Sequence, residues 1–131
     1  MDNSYFIEDA GFFIDIPLNG FPGVYSKYVL HTIGNEGVIR LIKDFDSSSA
    51  HFETIIALYF KPNDKIYFFE GRVEGTVSAL KKGEHGFGFD PIFIPNEIPY
   101  KTFGELTTNE KNQISHRAKA WNKLIEFLKN N

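Results

Sequence analysis

Two neighbouring runs organise this sequence: FETIIALYF from Phe52 to Phe60 and KIYFFEGRVEGTV from Lys65 to Val77. β-Branched and aromatic residues dominate both runs, which favours strands. The residues between them, KPND at 61–64, have the composition of a tight turn. The pattern predicts a hairpin of two long strands in the middle of the chain.

Before this hairpin, two short apolar runs flank a turn signal. Residues 5–7 (YFI) and 12–14 (FFI) are typical of strands, and EDAG at 8–11 lies between them. Because Gly11 permits a turn, we expect the chain to reverse there, with the acidic pair at a strand end.

Turn formers at 19–23 (NGFPG) precede two predicted helices. Apolar residues at helical spacing predict the first helix over 26–33, with Ser26 as its N-cap. The same spacing predicts a second helix from about 35 to 45, before a run of serines interrupts it.

After the hairpin, glycine, proline and aromatic residues at 83–99 predict a shaped loop with a short strand at 92–94. Apolar residues at helical spacing then predict a C-terminal helix with Ser115 as its N-cap. Taken together, these elements predict one α/β domain over residues 1–131, built as a layered mixed sheet flanked by helices.

Composition places the chain among folded proteins. Of 131 residues, 42% are hydrophobic and 16% aromatic, including 14 Phe, so we expect a packed core. The formal net charge is -3, and no stripe of Lys and Arg provides the electrostatic surface of a duplex-binding protein. We therefore expect no nucleic-acid polymer as a partner.

The absence of cysteine excludes disulfides and thiolate metal sites, and it agrees with a reducing cytosol. The 4 His residues show no short spacing typical of zinc ligands. Residues 1–5 contain no basic region followed by an apolar run, and no apolar stretch approaches the ~20 residues of a membrane helix. We expect a cytoplasmic protein with no membrane partner.

The first segment that could carry chemistry is EDAG, from Glu8 to Gly11. Adjacent side chains on a strand point to opposite faces, so one carboxylate could face a cleft while the other finds a different partner. A carboxylate that faces a cleft can hold magnesium or activate water. A merely solvated acidic junction between strand and turn is the alternative.

The second segment is GFGFDP, from Gly86 to Pro91. Its glycines let the backbone approach a ligand, and its two rings offer flat surfaces for a nucleobase whose edge Asp90 could bond. A tight turn with two core phenylalanines is the alternative. The sequence contains neither the Gly-x-Gly-x-x-Gly spacing nor a Gly-x-x-x-x-Gly-Lys-Ser/Thr run, so these two standard phosphate loops are absent.

The third segment is EKNQISHR, from Glu110 to Arg117. It places Lys111, His116 and Arg117 around one predicted helix N-terminus, where backbone N–H groups favour anionic or carbonyl-oxygen ligands. Cations in a first helical turn oppose the helix dipole, which favours a specific task for these side chains. Ordinary solvated basic residues beside a helix cap are the alternative.

In their order along the chain, these segments resemble the inosine triphosphate pyrophosphatase family, also described as non-standard purine nucleoside triphosphate pyrophosphatases. The similar segments cover nearly the whole sequence: Glu8 to Gly11, Gly20 to Ser26, Glu70-Gly71, Gly75, Gly86 to Phe93, Thr102 to Leu106, Glu110 to Asn112, and Ser115 to Arg117. The resemblance implies hydrolysis of ITP, dITP and XTP to the monophosphate and pyrophosphate, with Mg²⁺ as cofactor. It also implies a homodimer that removes deaminated purines from the nucleotide pool.

The resemblance assigns roles to individual residues. Asp9 would bind the metal and accept a proton from the attacking water, with Glu8 as a further metal ligand. Phe87 and Phe89 would border the base, and Asp90 would bond its edge. The other substrate-binding residues would be Ala10, Gly88, Lys111, His116 and Arg117.

The roles of these residues are consistent with selectivity for 6-oxo purines over adenine. Donors from His116 and Arg117 suit a 6-oxo acceptor, whereas the 6-amino group of adenine would set donor against donor and leave buried groups unpaired. Because magnesium offsets phosphate charge while a positioned carboxylate orients water, the protein needs mainly placement and electrostatics for this reaction.

Two features depart from the family pattern. Ala10 stands where the family usually has Ser or Thr, so a hydroxyl contact to substrate is lost together with any bond that the hydroxyl made. Nothing before Tyr5 resembles the family's opening strand, its Thr/Ser-x-Asn-x-x-Lys loop or the acidic metal ligand that follows them. We therefore expect an N-terminally truncated sheet with an uncovered edge or core surface, unless another chain covers it.

Two alternatives to an active enzyme are open. A truncated chain could bind a nucleotide, or assemble, without hydrolysis. A single-stranded RNA binder could use Phe87 and Phe89 as stacking platforms, and its affinity for oligonucleotides would fall with salt. The acidic net charge disfavours this second alternative.

Overall fold

A five-stranded sheet forms the centre of the structure, a computed structural model that describes residues 3–131. Its strand order is β2-β1-β3-β4-β5, with β1 Tyr5–Ile16, β2 Phe21–Gly23, β3 Ser49–Phe60, β4 Lys65–Val77 and β5 Phe93–Pro95. The predicted layered α/β architecture is confirmed. All pairings among the described residues are antiparallel, where we expected a mixed sheet, and parallel neighbours would need long crossover connections.

The helices of residues 3–131 are α1 Ser26–Thr32, α2 Gly34–Ile42, α3 Thr108–Ile114 and α4 His116–Lys129. Short 3-10 turns occupy Lys61–Asn63, Asp90–Ile92 and Phe103–Glu105. None of the helices in this part of the chain combines the length and the apolar character needed to cross a bilayer.

The central hairpin is confirmed. Strand β4 has the predicted bounds, and β3 begins three residues before the prediction, at Ser49, because Ala50 and His51 pair with Gly75 and Glu74. The turn closes at Asp64, whose φ of 53° lies in the left-handed region that Asp tolerates.

The turn predicted at Gly11 is wrong. Strand β1 pairs with β3 without interruption from Tyr5, opposite Tyr59, to Ile14, opposite Ala50. Gly11 instead allows a close approach of β2, because a Cβ there would lie 3.2 Å from the carbonyl oxygen of Gly23. The acidic pair therefore lies inside a strand rather than at a strand end.

The first helix begins where predicted, but Ser26 is not its N-cap. Its hydroxyl accepts the N–H of Phe12 at 2.9 Å and donates to the carbonyl of Gly23 at 2.6 Å. Ser26 thus ties α1 to β1 and holds the helix over one end of the sheet. Helix α2 ends at Ile42, three residues before the predicted end.

The C-terminal helix is confirmed with its cap, since Ser115 Oγ accepts the N–H of Ala118 at 3.0 Å. Helix α4 packs on β4 and β3, and Gly71 on β4 makes this approach possible. A Cβ at Gly71 would collide with the carbonyl oxygen of His116. The glycine therefore determines where the first turn of α4 sits against the sheet.

One face of the sheet carries the core. Phe12, Phe52 and Val73 lie in register across β1, β3 and β4, and all three are buried. A second cluster joins Ile56 and Leu58 of β3 to α4. This face is apolar because alternate residues of each strand point toward the helices and the glycine-rich loop.

The opposite side of the sheet, here called the open face, is uncovered in the described residues. Tyr5, Ile7, Ile66 and Phe68 lie there with exposed fractions between 60% and 71%. Among residues 3–131, the outer edge of β1 also has no strand partner from residue 5 to residue 11, since β2 pairs only with residues 12–14. The expected uncovered edge and apolar surface are therefore both present in residues 3–131.

Candidate active site

One cavity of about 560 Å³, here called the main cavity, lies between β1, α1, the glycine-rich loop and the start of α4. Every site residue predicted from the sequence lines it: Glu8, Asp9, Ala10, Phe87, Gly88, Phe89, Asp90, Lys111, His116 and Arg117. Residues up to 109 positions apart in the chain meet here, as Glu8 and Arg117 do. Their roles toward a ligand stay predictions.

The two adjacent carboxylates of β1 point apart, as the alternation of a strand predicts. Glu8 lies opposite Ile56 on the core face, and Asp9 lies opposite Ile55 on the open face. Glu8 forms an ion pair with Arg117 Nη2 at 3.0 Å and accepts a hydrogen bond from Trp121 Nε1, also at 3.0 Å. Both oxygens of Glu8 are therefore engaged on the helix side of the sheet.

Asp9 is the free carboxylate of the pair. It is exposed, and its side chain makes no hydrogen bond or ion pair with any described residue. It lines the main cavity and also a smaller one of about 230 Å³, where Lys27 and Glu53 are neighbours. Its oxygens are thus available to a ligand or an ion from solvent.

The glycine-rich loop folds around the carboxylate of Asp90. Its Oδ2 accepts the N–H of Phe87 at 3.0 Å and pairs with Lys111 Nζ at 2.5 Å. Gly86 has a φ of 75°, and a Cβ there would collide with Asp90 Oδ2, so only glycine fits. Asp90 is 2% exposed, and its charge is compensated inside the protein.

The two phenylalanines of this loop have different environments. Phe87 is 64% exposed, with Lys111 Nζ 4.6 Å and Arg117 Cζ 5.4 Å from its ring centroid. Phe89 is 4% exposed and stacks on Phe12 with centroids 4.9 Å apart. The ring of Phe89 is therefore part of the core, whereas the ring of Phe87 is exposed at the cavity.

The cationic residues come from two helices rather than from one N-terminus. Lys111 lies on α3, which the sequence analysis missed, while His116 and Arg117 open α4. The signal for α3 is the capping box of Thr107 and Glu110, whose mutual hydrogen bonds lower the pKa of the Glu110 carboxyl. The two helices still bring the three basic residues to one wall of the cavity.

His116 is a neutral imidazole at physiological pH. Burial lowers its pKa to about 3, with further contributions from Lys111, Arg117 and Lys119. Its ring stacks on Phe52 at 4.7 Å, and its Nδ1 is buried with no hydrogen-bond partner among the described residues. An unpaired buried nitrogen at the edge of a cavity favours a polar ligand.

A second cavity of about 520 Å³ lies on the other side of Phe87 and Arg117, which line both spaces. Trp121 of α4 lines this second cavity, and the sequence analysis missed its part in the site. A lone Trp at helical spacing among aliphatic residues is typical of core. Its indole N–H was the available signal, because a buried indole needs an acceptor, here Glu8.

Another group of possible ligating residues lies on the open face, away from the main cavity. Asp15, His51 and Glu74 bring one atom each within 4.8 Å of one another. His51 Nδ1 is hydrogen-bonded to Asp15 at 2.7 Å, and Arg72 pairs with Glu74, which raises the pKa of the guanidinium. These side chains therefore pair with one another on the open face.

Comparison with known proteins identifies the family. The model of the Ham1 family matches residues 1–127. A dITP/XTP pyrophosphatase of Thermococcus kodakarensis is 44% identical over 131 residues, which are 100% of this chain and 68% of the relative. The dITP/XTP pyrophosphatase of Pyrococcus horikoshii is 49% identical over 127 residues, with 97% and 66% of the two chains covered. This chain thus spans about two thirds of the length of these relatives.

Solved structures agree with the sequence relatives. A HAM1 protein from Coxiella burnetii has a TM-score of 0.88 at 32% identity, with 98% of this chain and 68% of that chain covered. The Ham1 protein of Staphylococcus aureus has a TM-score of 0.82 at 34% identity, with coverage of 97% and 67%. The resemblance read from the sequence motifs is confirmed, and the chain belongs to the Ham1 family.

Proposed function

We propose that this chain hydrolyses non-standard purine nucleoside triphosphates, namely ITP, dITP and XTP, to the monophosphate and pyrophosphate. The observation that carries the proposal is the main cavity, whose lining includes Asp9, Phe87 and the basic residues of α3 and α4. The relatives from Thermococcus kodakarensis and Pyrococcus horikoshii, both dITP/XTP pyrophosphatases, support the substrate class.

The base would lie against Phe87. An exposed ring beside two cations provides a flat surface for a purine, and base stacking on such a ring contributes about 1–3 kcal/mol. Arg117 and the neutral imidazole of His116 then offer N–H donors to a 6-oxo group. The 6-amino group of adenine would instead bring its own N–H donors against those of Arg117 and His116. Buried N–H groups would then lack an acceptor, which disfavours the binding of ATP.

Asp9 would hold Mg²⁺ and accept the proton of the attacking water. Magnesium is commonly bound by one or two carboxylates together with phosphate oxygens and water, so a single free carboxylate in a cavity fits the ion. Bound magnesium would offset phosphate charge and polarise the phosphorus–oxygen bonds. Glu8 does not fit as a further ligand, because its oxygens are engaged by Arg117 and Trp121 on the other face of the sheet.

Charge in the cavity suits a triphosphate. Lys27 on α1 lines both spaces that Asp9 lines, so a cation shares these cavities with the proposed metal ligand. Lys111 is held near Phe87 by Asp90. These lysines would attract the phosphates while Asp9 orients the water.

We also propose that the chain forms a homodimer in the cytoplasm. The uncovered apolar side chains of the open face, such as Ile7 and Phe68, support association, because a monomer rarely exposes a contiguous apolar patch. The absence of cysteine supports a reducing compartment.

The test is pyrophosphate release from ITP with magnesium by wild type, Asp9→Asn and Asp44→Asn. Asp44 is an exposed carboxylate outside the main cavity, so its variant controls for the loss of one surface charge. We expect release by wild type and by Asp44→Asn, and a loss of at least about a hundredfold for Asp9→Asn. Equal release by all three proteins would contradict the role of Asp9. Binding of IMP without any release would favour a nucleotide-binding protein that does not hydrolyse its ligand.

A further inference from the structure

Glu8 contacts two side chains of one helix, one by an ion pair and one by a hydrogen bond. Its Oε1 lies 3.0 Å from Arg117 Nη2, and its Oε2 accepts the indole N–H of Trp121 at 3.0 Å. Arg117 and Trp121 are four residues apart on α4 and therefore share one helix face. The carboxylate thus joins β1 to the first turns of α4 through both of its oxygens.

The indole is itself fixed in place. Phe6, two residues before Glu8 on the same face of β1, contacts Trp121 edge to face with centroids 5.0 Å apart. The Trp121 N–H is therefore a donor of set position, and Glu8 has little freedom to rotate. Because the Trp121 N–H fixes one oxygen of Glu8, the other oxygen has a set position from which it can orient the guanidinium of Arg117.

Arg117 has N–H donors that no described residue engages. Among the described residues its ion pair engages one terminal nitrogen, and its Nε is buried with no hydrogen-bond partner. The guanidinium is planar, so anchoring one nitrogen sets the direction of the other N–H groups. Its carbon lies 5.4 Å from the ring centroid of Phe87, which places these groups beside the proposed base surface.

We propose that Glu8 and Trp121 are positioning residues that set the purine selectivity of this chain by fixing the guanidinium of Arg117. The inference rests on the proposed function, because it concerns how the same cavity distinguishes a 6-oxo from a 6-amino purine. While Trp121 fixes Glu8, the N–H groups of Arg117 keep one direction. They can donate to a 6-oxo group, but they cannot rotate to avoid the N–H groups of a 6-amino group. When the anchor is lost, the guanidinium can rotate and both purines are accepted more equally.

The test compares kcat/KM for ITP and ATP, and the equilibrium binding of IMP and AMP, in wild type, Trp121→Phe and Glu8→Ala. Trp121→Phe keeps one aromatic ring against Phe6 and removes the indole N–H donor together with the second ring of the indole. We expect the ITP-to-ATP ratio to fall about fivefold to tenfold in Trp121→Phe and about a hundredfold in Glu8→Ala, as expected for losing hydrogen bonds to charged groups. Tyr67→Phe is the matched control.

Tyr67 suits this control because its hydroxyl also forms one side-chain hydrogen bond, with Asn63 at 2.7 Å, outside the main cavity. Its variant should leave the selectivity ratio unchanged. A merely structural effect of Trp121→Phe would lower turnover of ITP and ATP alike, with a fall in melting temperature and no change in the ratio. That outcome would overturn the inference.

Fluorescence gives a readout that does not need turnover. Trp121 is the only tryptophan of the chain, so the emission spectrum reports its environment directly. Glu8→Ala should shift the emission of the ligand-free protein, and an unchanged spectrum would overturn the contact. Wild type that neither binds nor hydrolyses purine nucleotides would refute the proposed function and the inference together. An active wild type whose ratio survives Trp121→Phe would refute the inference alone.

Discussion

Acidification is expected to destabilise this chain through His116, and the effect can be isolated with His116→Phe. The imidazole is 7% exposed and stacks on Phe52, and its pKa is lowered to about 3, first by burial and then by nearby cations. In the unfolded chain the same group has its ordinary pKa of 6.5. Since the unfolded state binds the proton more readily, the contribution of His116 to stability is fully present above pH 6.5 and is lost as the pH falls toward 3.

The magnitude follows from this difference in pKa. Each pH unit below 6.5 costs about 1.4 kcal/mol, so the loss reaches about 2 kcal/mol at pH 5. Phenylalanine keeps a ring beside Phe52 and does not titrate. The carboxylates that titrate in the same range are common to both proteins and cancel in the comparison.

The assay is urea unfolding of wild type and His116→Phe at pH 7.5 and pH 5, followed by circular dichroism. We expect wild type to lose about 2 kcal/mol more than the variant between these two pH values. Any loss of stability that His116→Phe causes independently of pH is the same at both pH values and cancels in the difference between them. Equal losses in the two proteins would refute a neutral, desolvated imidazole at the head of α4.

Two further predictions concern the environments of single side chains. Phe89→Ala should lower the free energy of unfolding in urea by about 3–5 kcal/mol, because the ring of Phe89 belongs to the core. Phe87 is exposed, so Phe87→Ala should change this free energy by less than about 0.5 kcal/mol and weaken the binding of IMP. Similar destabilisation by both variants would contradict this assignment. Thr54 Oγ1 is buried without a hydrogen-bond partner among the described residues, and Ala10 lies directly opposite on β1, so Ala10→Ser should add about 1 kcal/mol of stability. Ala57→Ser on the open face should add none, and equal stability of the two serine variants would count against a hydrogen bond between the introduced hydroxyl and Thr54.

Local patterns were enough for the parts of the fold that depend on near neighbours in the chain. The β3–β4 hairpin, the bounds of β4 and the helix after Ser115 all follow from residue type and period, because strand and helix spacing express which face is buried. The same patterns located the three segments that line the main cavity. They failed for α3, where the capping box of Thr107 and Glu110 was present but no apolar stripe accompanied it.

Contacts between distant segments decided the rest. The residues around Gly11 do not show whether the chain turns there or continues as a strand. The close approach of the Gly23 carbonyl, which is visible only in the folded structure, explains the glycine. Phe87 and Phe89 are the same residue type two positions apart, and the neighbouring Phe12 makes only the second one core. The partner of Glu8 lies 113 residues away at Trp121, so no window of sequence could connect them. The sequence by itself determined which residue types reach the cavity, whereas the tertiary structure decided which of them are free to act, because burial and hydrogen-bond partners are set by packing between segments that are remote in the chain.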